Sequence, residues 1–378
     1  MMFASKRRWF IVLGWAVGAL ATVVALLLLL RLVFFEGTHQ GPLELSRGVV
    51  DIHCHTAGVG AGESGCFVSS AMRASYKFRI YLESFGVNLD ALEREGDGLV
   101  IQKIAERVQA SQQVQAAIVL AMDGVILEDG RLDLERTEFY VPNDFVRAQT
   151  LERPELFWGA SINPNRTNAI ERLEWAHAHG AKLVKWLPSI QLFDPSDVAY
   201  VPFYKRMAEL KLPLLSHAGH ERSFTSARDE FADPWKLKLA LENGVTVIVA
   251  HIASTGHHEN QRATDRLLEM MERYPNLYSE ISSLTQVNKL GYLFEALRDD
   301  RFAGRLLYGS DYPLINTALV SPWFFPLALE VGQMKRIAEI DNPWDRDVAL
   351  KAALGVPREI FARATNLLMT QGDLELTP

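Results

Sequence analysis

Eight short runs rich in Val, Ile and Leu recur along this chain, each followed by a longer stretch with helical spacing, and that alternation constrains the fold more than any other feature. The runs are GVVDIHCH (48–55), QAAIVLAM (115–122), LFWGASI (156–162), AKLVKWL (181–187), LPLLSHA (212–218), VTVIVAH (245–251), NLYSEIS (276–282) and RLLYGSD (305–311). Between them lie helix candidates such as NAIERLEWAHAHG, VPFYKRMAEL, DPWKLKLALENG and ENQRATDRLLEMMERYP, several closed by Gly or Pro just past the last turn. Strand and helix alternating in this way predict an α/β chain folded as a (β/α)8 TIM barrel.

The stretch between the first two runs, 56–114, is too long for a simple connection. It holds a glycine-rich loop, TAGVGAGESG, and helical patterns at about 69–84 and 88–110, and reads as an insertion above the barrel mouth. After the eighth run, WFFPLALEVGQMKRIAEI, PWDRDVALKAALG and PREIFARATNLLM read as terminal helices closing the outer layer. No internal repeat or boundary interrupts 45–370, so residues 48–372 are expected to form one domain.

Upstream, the chain departs from globular rules. From Trp9 to Leu30 the sequence WFIVLGWAVGALATVVALLLLL carries no charge, and Lys6, Arg7 and Arg8 precede it. About 20 apolar residues suffice to cross a bilayer as a helix, and a basic cluster stays on the cytoplasmic side. The expected organisation is a cytoplasmic tail (1–8), a single transmembrane anchor (9–34), a connector (35–47) and a barrel outside, periplasmic or extracellular. The alternative is a cleaved signal peptide, but the run exceeds an ordinary h-region and RLVFFEGTHQ follows with no small-x-small site. A formal net charge of -7 offers no basic excess for a phosphate backbone, so nucleic acid is not an expected partner. Cys54 and Cys66 lack CxxC spacing, and a bridge between them would need an oxidising compartment.

In a barrel the C-terminal strand ends meet around one mouth, so the polar groups at those ends decide the chemistry. His53 and His55 end the first run and share one strand face, with Cys54 on the other. Lys185 belongs to the fourth run, His217 to the fifth, His251 to the sixth and Asp311 to the eighth. Neutral imidazoles and a carboxylate suit zinc and its neighbours, whereas an ammonium repels a cation. Lys185 fits if carbon dioxide carbamylates its amine, giving a carboxylate able to bridge two metals; uncarboxylated, it would pair with an acid or a substrate carboxylate. Two ions about 3.5–4 Å apart polarise a carbonyl and lower the pKa of a bridging water toward 7, with Asp311 as proton acceptor. Asn163, His220, Arg222 and Glu280, with Asp123 and Glu221, lie at or just past strand ends and are weaker candidates for substrate contact.

With these residues the chain resembles the amidohydrolase superfamily, metal-dependent hydrolases on a distorted (β/α)8 barrel, and more closely its amidohydrolase-related branch. The resemblance covers about 48–370. DIHCH is similar to the family's His-x-His on the first strand, SHAGH and VIVAHI to the histidines of strands five and six, and YGSDYP to the eighth-strand aspartate. VKWLP is similar to the Lys-x-x-Pro of dihydroorotase-like members, whose lysine is carboxylated. The resemblance implies that His53, His55 and Asp311 hold one ion, that His217 and His251 hold a second, and that Lys185 bridges. The cofactor would be one or two divalent ions, zinc first, and the reaction hydrolysis of an amide, lactone or ester in a small molecule. The same branch includes single-zinc decarboxylases and hydratases related to aminocarboxymuconate-semialdehyde decarboxylase, so a lyase is the alternative. A metal-binding module without turnover is a third reading, opposed by a ligand set with no member missing. Oligomeric state is not legible from the sequence.

Two patterns imitate functional motifs. His177 and His179 in EWAHAHG repeat the i, i+2 spacing, but on a helix that turns them about 200° apart, and near a helix C-terminus they complement the dipole. GAGESG (60–65) satisfies GxGxxG, yet the next strand begins near 115, too far for a dinucleotide site, so the loop is expected as a lid or pocket wall. The aromatic residues of PWFFP (322–326) are expected mainly in the core.

Overall fold

All eight apolar runs form strands in the computed structural model, which describes residues 2–35, 48–370 and 373. They are β1 Val49–His55, β2 Val114–Leu120, β3 Leu156–Gly159, β4 Val184–Trp186, β5 Leu214–Ser216, β6 Val247–Val249, β7 Leu277–Glu280 and β8 Leu306–Leu307. β1, β2 and β3 pair in parallel as one arc, and β4 to β8 as another. Parallel bridges between Ala160 and Val184 and between Cys54 and Tyr312 join the arcs, closing the ring.

Strand alternation then sorts the side chains. Ala117, Val119, Val184, Leu214, Val247 and Val249 pack outward in the cluster beneath the helices. Val50, Ile52, Ile118, Leu183, Leu215, Ile248 and Leu307 face inward and fill the barrel. Ala364 and Leu368 of the last helix, Arg358–Leu368, join this inner cluster, so that helix plugs the barrel rather than only covering it. The polar residues of the mouth continue the inward register one pleat higher. Lys185 comes two residues after Leu183, His217 two after Leu215, and Glu280 two after Tyr278.

On β1 the alternation breaks, because Ile52 and His53 both face inward. The β1–β2 register shifts between Asp51 and Cys54, and an irregularity of this kind re-aims the side chains that follow it. Asp51 is left on the outer side, fully buried. Its carboxylate accepts from His53 N (3.0 Å), Ser310 N (2.9 Å), Ser310 Oγ (2.5 Å) and Trp344 Nε1 (2.8 Å). One group thereby ties the first strand, the turn after the eighth and the helix Pro343–Ala353.

The insertion forms helices Ser70–Ala74, Tyr76–Phe85, Leu89–Glu95 and Gly98–Gln109, so each of the two long predicted patterns is broken once. The breaks are chemical: Ser75 accepts from Lys77 N as a new cap, and Gly96 ends the third helix at φ 89°. Lys77 Nζ donates to the carbonyls of Arg222 (2.7 Å) and Phe224 (2.9 Å), fastening the insertion to the loop after β5. The glycine loop is pinned by Asp97, which accepts from Val59 N (2.9 Å), Gly60 N (2.8 Å) and Ser64 Oγ (2.5 Å). Only Thr56 and Ala57 of TAGVGAGESG line the main cavity, so the expected lid is not there.

Met2–Phe35 is one helix that takes in the basic cluster set apart as a tail, and Val12–Phe34 is long and apolar enough to cross a membrane, with mean hydropathy 2.6. The connector residues 36–47 lie outside the described residues. His179 follows the helix Ala169–Ala178, its Nδ1 2.7 Å from Trp175 O, a helix-end contact far from metal chemistry. Cys54 and Cys66 are free and buried. Phe325 is buried as expected of PWFFP, but Trp323 is 50% exposed.

Asp51→Ala removes the acceptor of four buried donors at once. It is expected to cost about 2–4 kcal/mol of stability, read as a lowered urea midpoint for the full-length chain; an unchanged midpoint would contradict the role assigned to this carboxylate.

Candidate metal centre

Beneath the insertion lies a cavity of about 210 Å³. Its floor carries His53, His55, Lys185, His217, His251 and Asp311, and its roof Met72, Phe78, Tyr81, Phe85 and Phe139. The six residues expected from six different strand positions therefore converge on one mouth.

Glu280 sets the orientation of two of them. Its Oε1 lies 3.0 Å from His53 Nδ1 and accepts from His251 N (3.0 Å) and Ser282 Oγ (2.7 Å). A charged carboxylate cannot donate, so the proton sits on His53 Nδ1 and Nε2 keeps a lone pair toward the cavity. Ser282 Oγ, spent as a donor on Glu280, accepts from His251 Nδ1 at 2.7 Å, which fixes the same tautomer there. Just past β8, between Leu307 and Asp311, stands Gly309, where a Cβ would meet Glu280 Oε2 at 2.7 Å and His53 Cβ at 3.0 Å. Glycine is what lets the eighth strand pass this close.

Burial controls the charges. It pushes His53 down to about 4, helped by the nearby Lys185 ammonium, and pushes His251 well below the usual imidazole range. His217 is lowered by the same cause against the opposing pull of Glu221. For Asp311 and Glu280, burial works upward but is outweighed by the surrounding histidines and hydrogen bonds, which hold both carboxylates below their usual range. Neutral imidazoles beside charged carboxylates are the protonation state that metal ligation needs.

The donor atoms fit an ion. His53 Nε2 and His55 Nε2 are 3.1 Å apart, and Asp311 Oδ1 lies 3.3 Å from the latter and 3.6 Å from the former. Zinc with bonds of about 2.0–2.1 Å in tetrahedral geometry spaces its ligands roughly 3.3 Å apart. His217 Nε2 is buried without a hydrogen-bond partner, and the His217 and His251 ring centroids are 5.5 Å apart. Lys185 Nζ sits 2.9 Å from His53 Nε2, and burial brings its pKa down to about 8. Asp311 and His251 hold left-handed backbone at φ 61° and 54°, a conformation costing a non-glycine residue about 1–2 kcal/mol, so strain gathers at two of the candidate ligands.

The weaker candidates divide. His220 and Arg222 line the cavity, as does Glu221. Asn163 and Glu280 do not contact it: both are 0% exposed, and their polar atoms are engaged elsewhere. Asn163 donates to Gly124 O and Gln191 O at 2.9 Å each, and Asp123 is spent on Arg166. Strand-end position placed these residues correctly along the barrel, but not on the substrate side. Lys289, in the turn Val287–Lys289, lines the cavity and was not anticipated.

If Glu280 serves to orient His53, Glu280→Gln should weaken zinc binding about 10–100-fold, measured by competition with a chromophoric chelator. An unchanged affinity would remove Glu280 from the centre.

The sequence profile of the amidohydrolase family matches residues 50–347. Among solved structures, an uncharacterized TIM-barrel protein from Bordetella bronchiseptica is 16% identical, with 81% of this chain and 99% of that chain covered and a TM-score of 0.50. A Pseudomonas putida protein named provisionally as a 2-pyrone-4,6-dicarboxylic acid hydrolase is 14% identical over 89% of this chain and 100% of its own, with a TM-score of 0.46. A 2,6-dihydroxybenzoate decarboxylase from Rhizobium is 13% identical over 85% of this chain and 98% of its own, with a TM-score of 0.44. No curated protein matches the chain. With the profile spanning most of the barrel, the chain belongs to the amidohydrolase family.

Proposed function

We propose that the barrel is a metal-dependent hydrolase of an amide, lactone or ester bond in a small molecule, held at a membrane by its N-terminal helix. The observation that carries this reading is the convergence of His53, His55 and Asp311 beside a buried lysine amine. A divalent ion bound there, zinc first, would polarise a substrate carbonyl and acidify a water. His53, His55 and Asp311 would hold it, and His217 and His251 stand ready for a second. Ser283 Oγ donates to Asp311 Oδ2, while Oδ1 faces the histidines. In this reading the charged carboxylate accepts the proton of the attacking water. Met72, Phe78, Tyr81 and Phe85 roof the site and limit bulk water, which strengthens the electrostatic interactions inside.

Lys185 supplies the remaining piece. With its pKa near 8, part of its amine is neutral at physiological pH, and only the neutral amine adds carbon dioxide. The resulting carbamate would add a negatively charged ligand to the mouth. A lyase reading draws on a separate observation: His53, His55 and Asp311 alone form a complete three-donor group, which a one-ion decarboxylase or hydratase would use. Lys6, Arg7 and Arg8 precede the apolar helix, so in this proposal the N-terminus is cytoplasmic and the barrel lies outside, in the periplasm or extracellular space.

Asp311→Asn is expected to lower kcat about 10²–10⁴-fold on any responsive ester, lactone or amide, in a pH-stat assay; full activity would remove Asp311 as proton acceptor. Carbon-13 bicarbonate should give a carbamate NMR signal that grows as pH rises through the Lys185 pKa and disappears in Lys185→Ala. No such signal, with a single ion per chain, would favour the lyase.

A further inference from the structure

Resting on the mouth as a metal-dependent site, we propose that Lys289 binds a carboxylate of the substrate, and that the substrate is an organic acid with an apolar body. Lys289 closes the turn Val287–Lys289 after β7, its backbone N donating to Gln286 O at 2.9 Å. It is 9% exposed and lines the cavity. Two other lysines are buried as deeply, and each has a partner: Lys351 Nζ lies 2.7 Å from Asp347 and 3.0 Å from Gly309 O, and Lys185 Nζ lies 2.9 Å from His53 Nε2. Among the described residues no acceptor lies within hydrogen-bond or ion-pair distance of the Lys289 ammonium. An enclosed ammonium without a partner is unfavourable, so an anion entering the cavity gains what the protein leaves unmade.

Among the residues lining the cavity, the cations Lys185, Arg222 and Lys289 outnumber the acids Glu221 and Asp311, so the cavity favours an anionic ligand. Burial lowers the Lys289 pKa, and Asp311, Glu221 and Glu280 oppose it, so the amine gains most by acquiring a nearer counter-ion. In the same cavity, Met72, Phe78, Tyr81 and Phe85 offer an apolar wall to the rest of the molecule.

The test uses the full-length chain in detergent with benzoate as probe and benzamide as its uncharged counterpart, titrated by calorimetry against wild type, Lys289→Met and Lys289→Arg. Lys289→Met should weaken benzoate binding roughly 10–100-fold, leave benzamide within about two-fold, and be largely rescued by arginine. Equal benzoate affinity in wild type and Lys289→Met would overturn the proposal, as would equal losses for benzoate and benzamide, which report packing rather than charge. Elemental analysis of the same samples reads the metal-dependent reading separately, since an ion-free wild type would overturn that reading while the benzoate-to-benzamide ratio still reports on Lys289.

Discussion

The register shift between Asp51 and Cys54 is the constraint on which the site depends. Without it, a strand that turns Val50 and Ile52 inward would turn His53 outward, and the histidine pair would be lost to the helix layer. The shift brings both imidazoles into the mouth, and it leaves Asp51 behind the strand as an anchor. Because Asp51 also accepts from Ser310 N and Oγ, the same carboxylate fixes the turn that carries Asp311. First and eighth strands are thus aligned at the atom where their ligands must meet.

Electrostatics follows from that alignment. The mouth is deep enough for desolvation to keep His53, His217 and His251 neutral, while Asp311 and Glu280 keep their charges because the imidazoles and hydroxyls around them compensate for burial. Glu280 turns a ring proton away from the cavity, and Ser282 relays the same instruction to His251. The result is a set of lone pairs aimed at one volume, an arrangement that favours a cation over any hydrogen-bonded alternative.

Much of this was legible in the sequence, for a reason that can be stated. Barrel strands alternate inward and outward, so a chemically special residue on the inward register at a strand end must face the mouth; Lys185, His217 and Asp311 obey that rule, whereas His53 and His55 reach the mouth through the register shift in β1 and His251 through the left-handed backbone that follows β6. Asn163 and Glu280 obey it too, yet lie below the cavity, because strand-end position fixes a side chain's direction but not which groups cover it. Lys289 was missed since TQVNKL carries no periodic signal, and its significance arises only from burial. Of the two roles expected for the glycine loop, only a short piece of pocket wall at Thr56 and Ala57 is realised, because Asp97, which pins the rest, is distant in sequence. The last helix reads as an outer-layer element by its spacing, and its contact with the barrel interior depends on three-dimensional closure.

Metal content of the full-length chain, purified without chelator and located by anomalous scattering, tests the central claim most directly. One ion bounded by His53, His55 and Asp311, alone or with a second near His217 and His251, is the predicted result. A protein that neither retains nor takes up a divalent ion, with those three side chains in the arrangement described, would contradict the account.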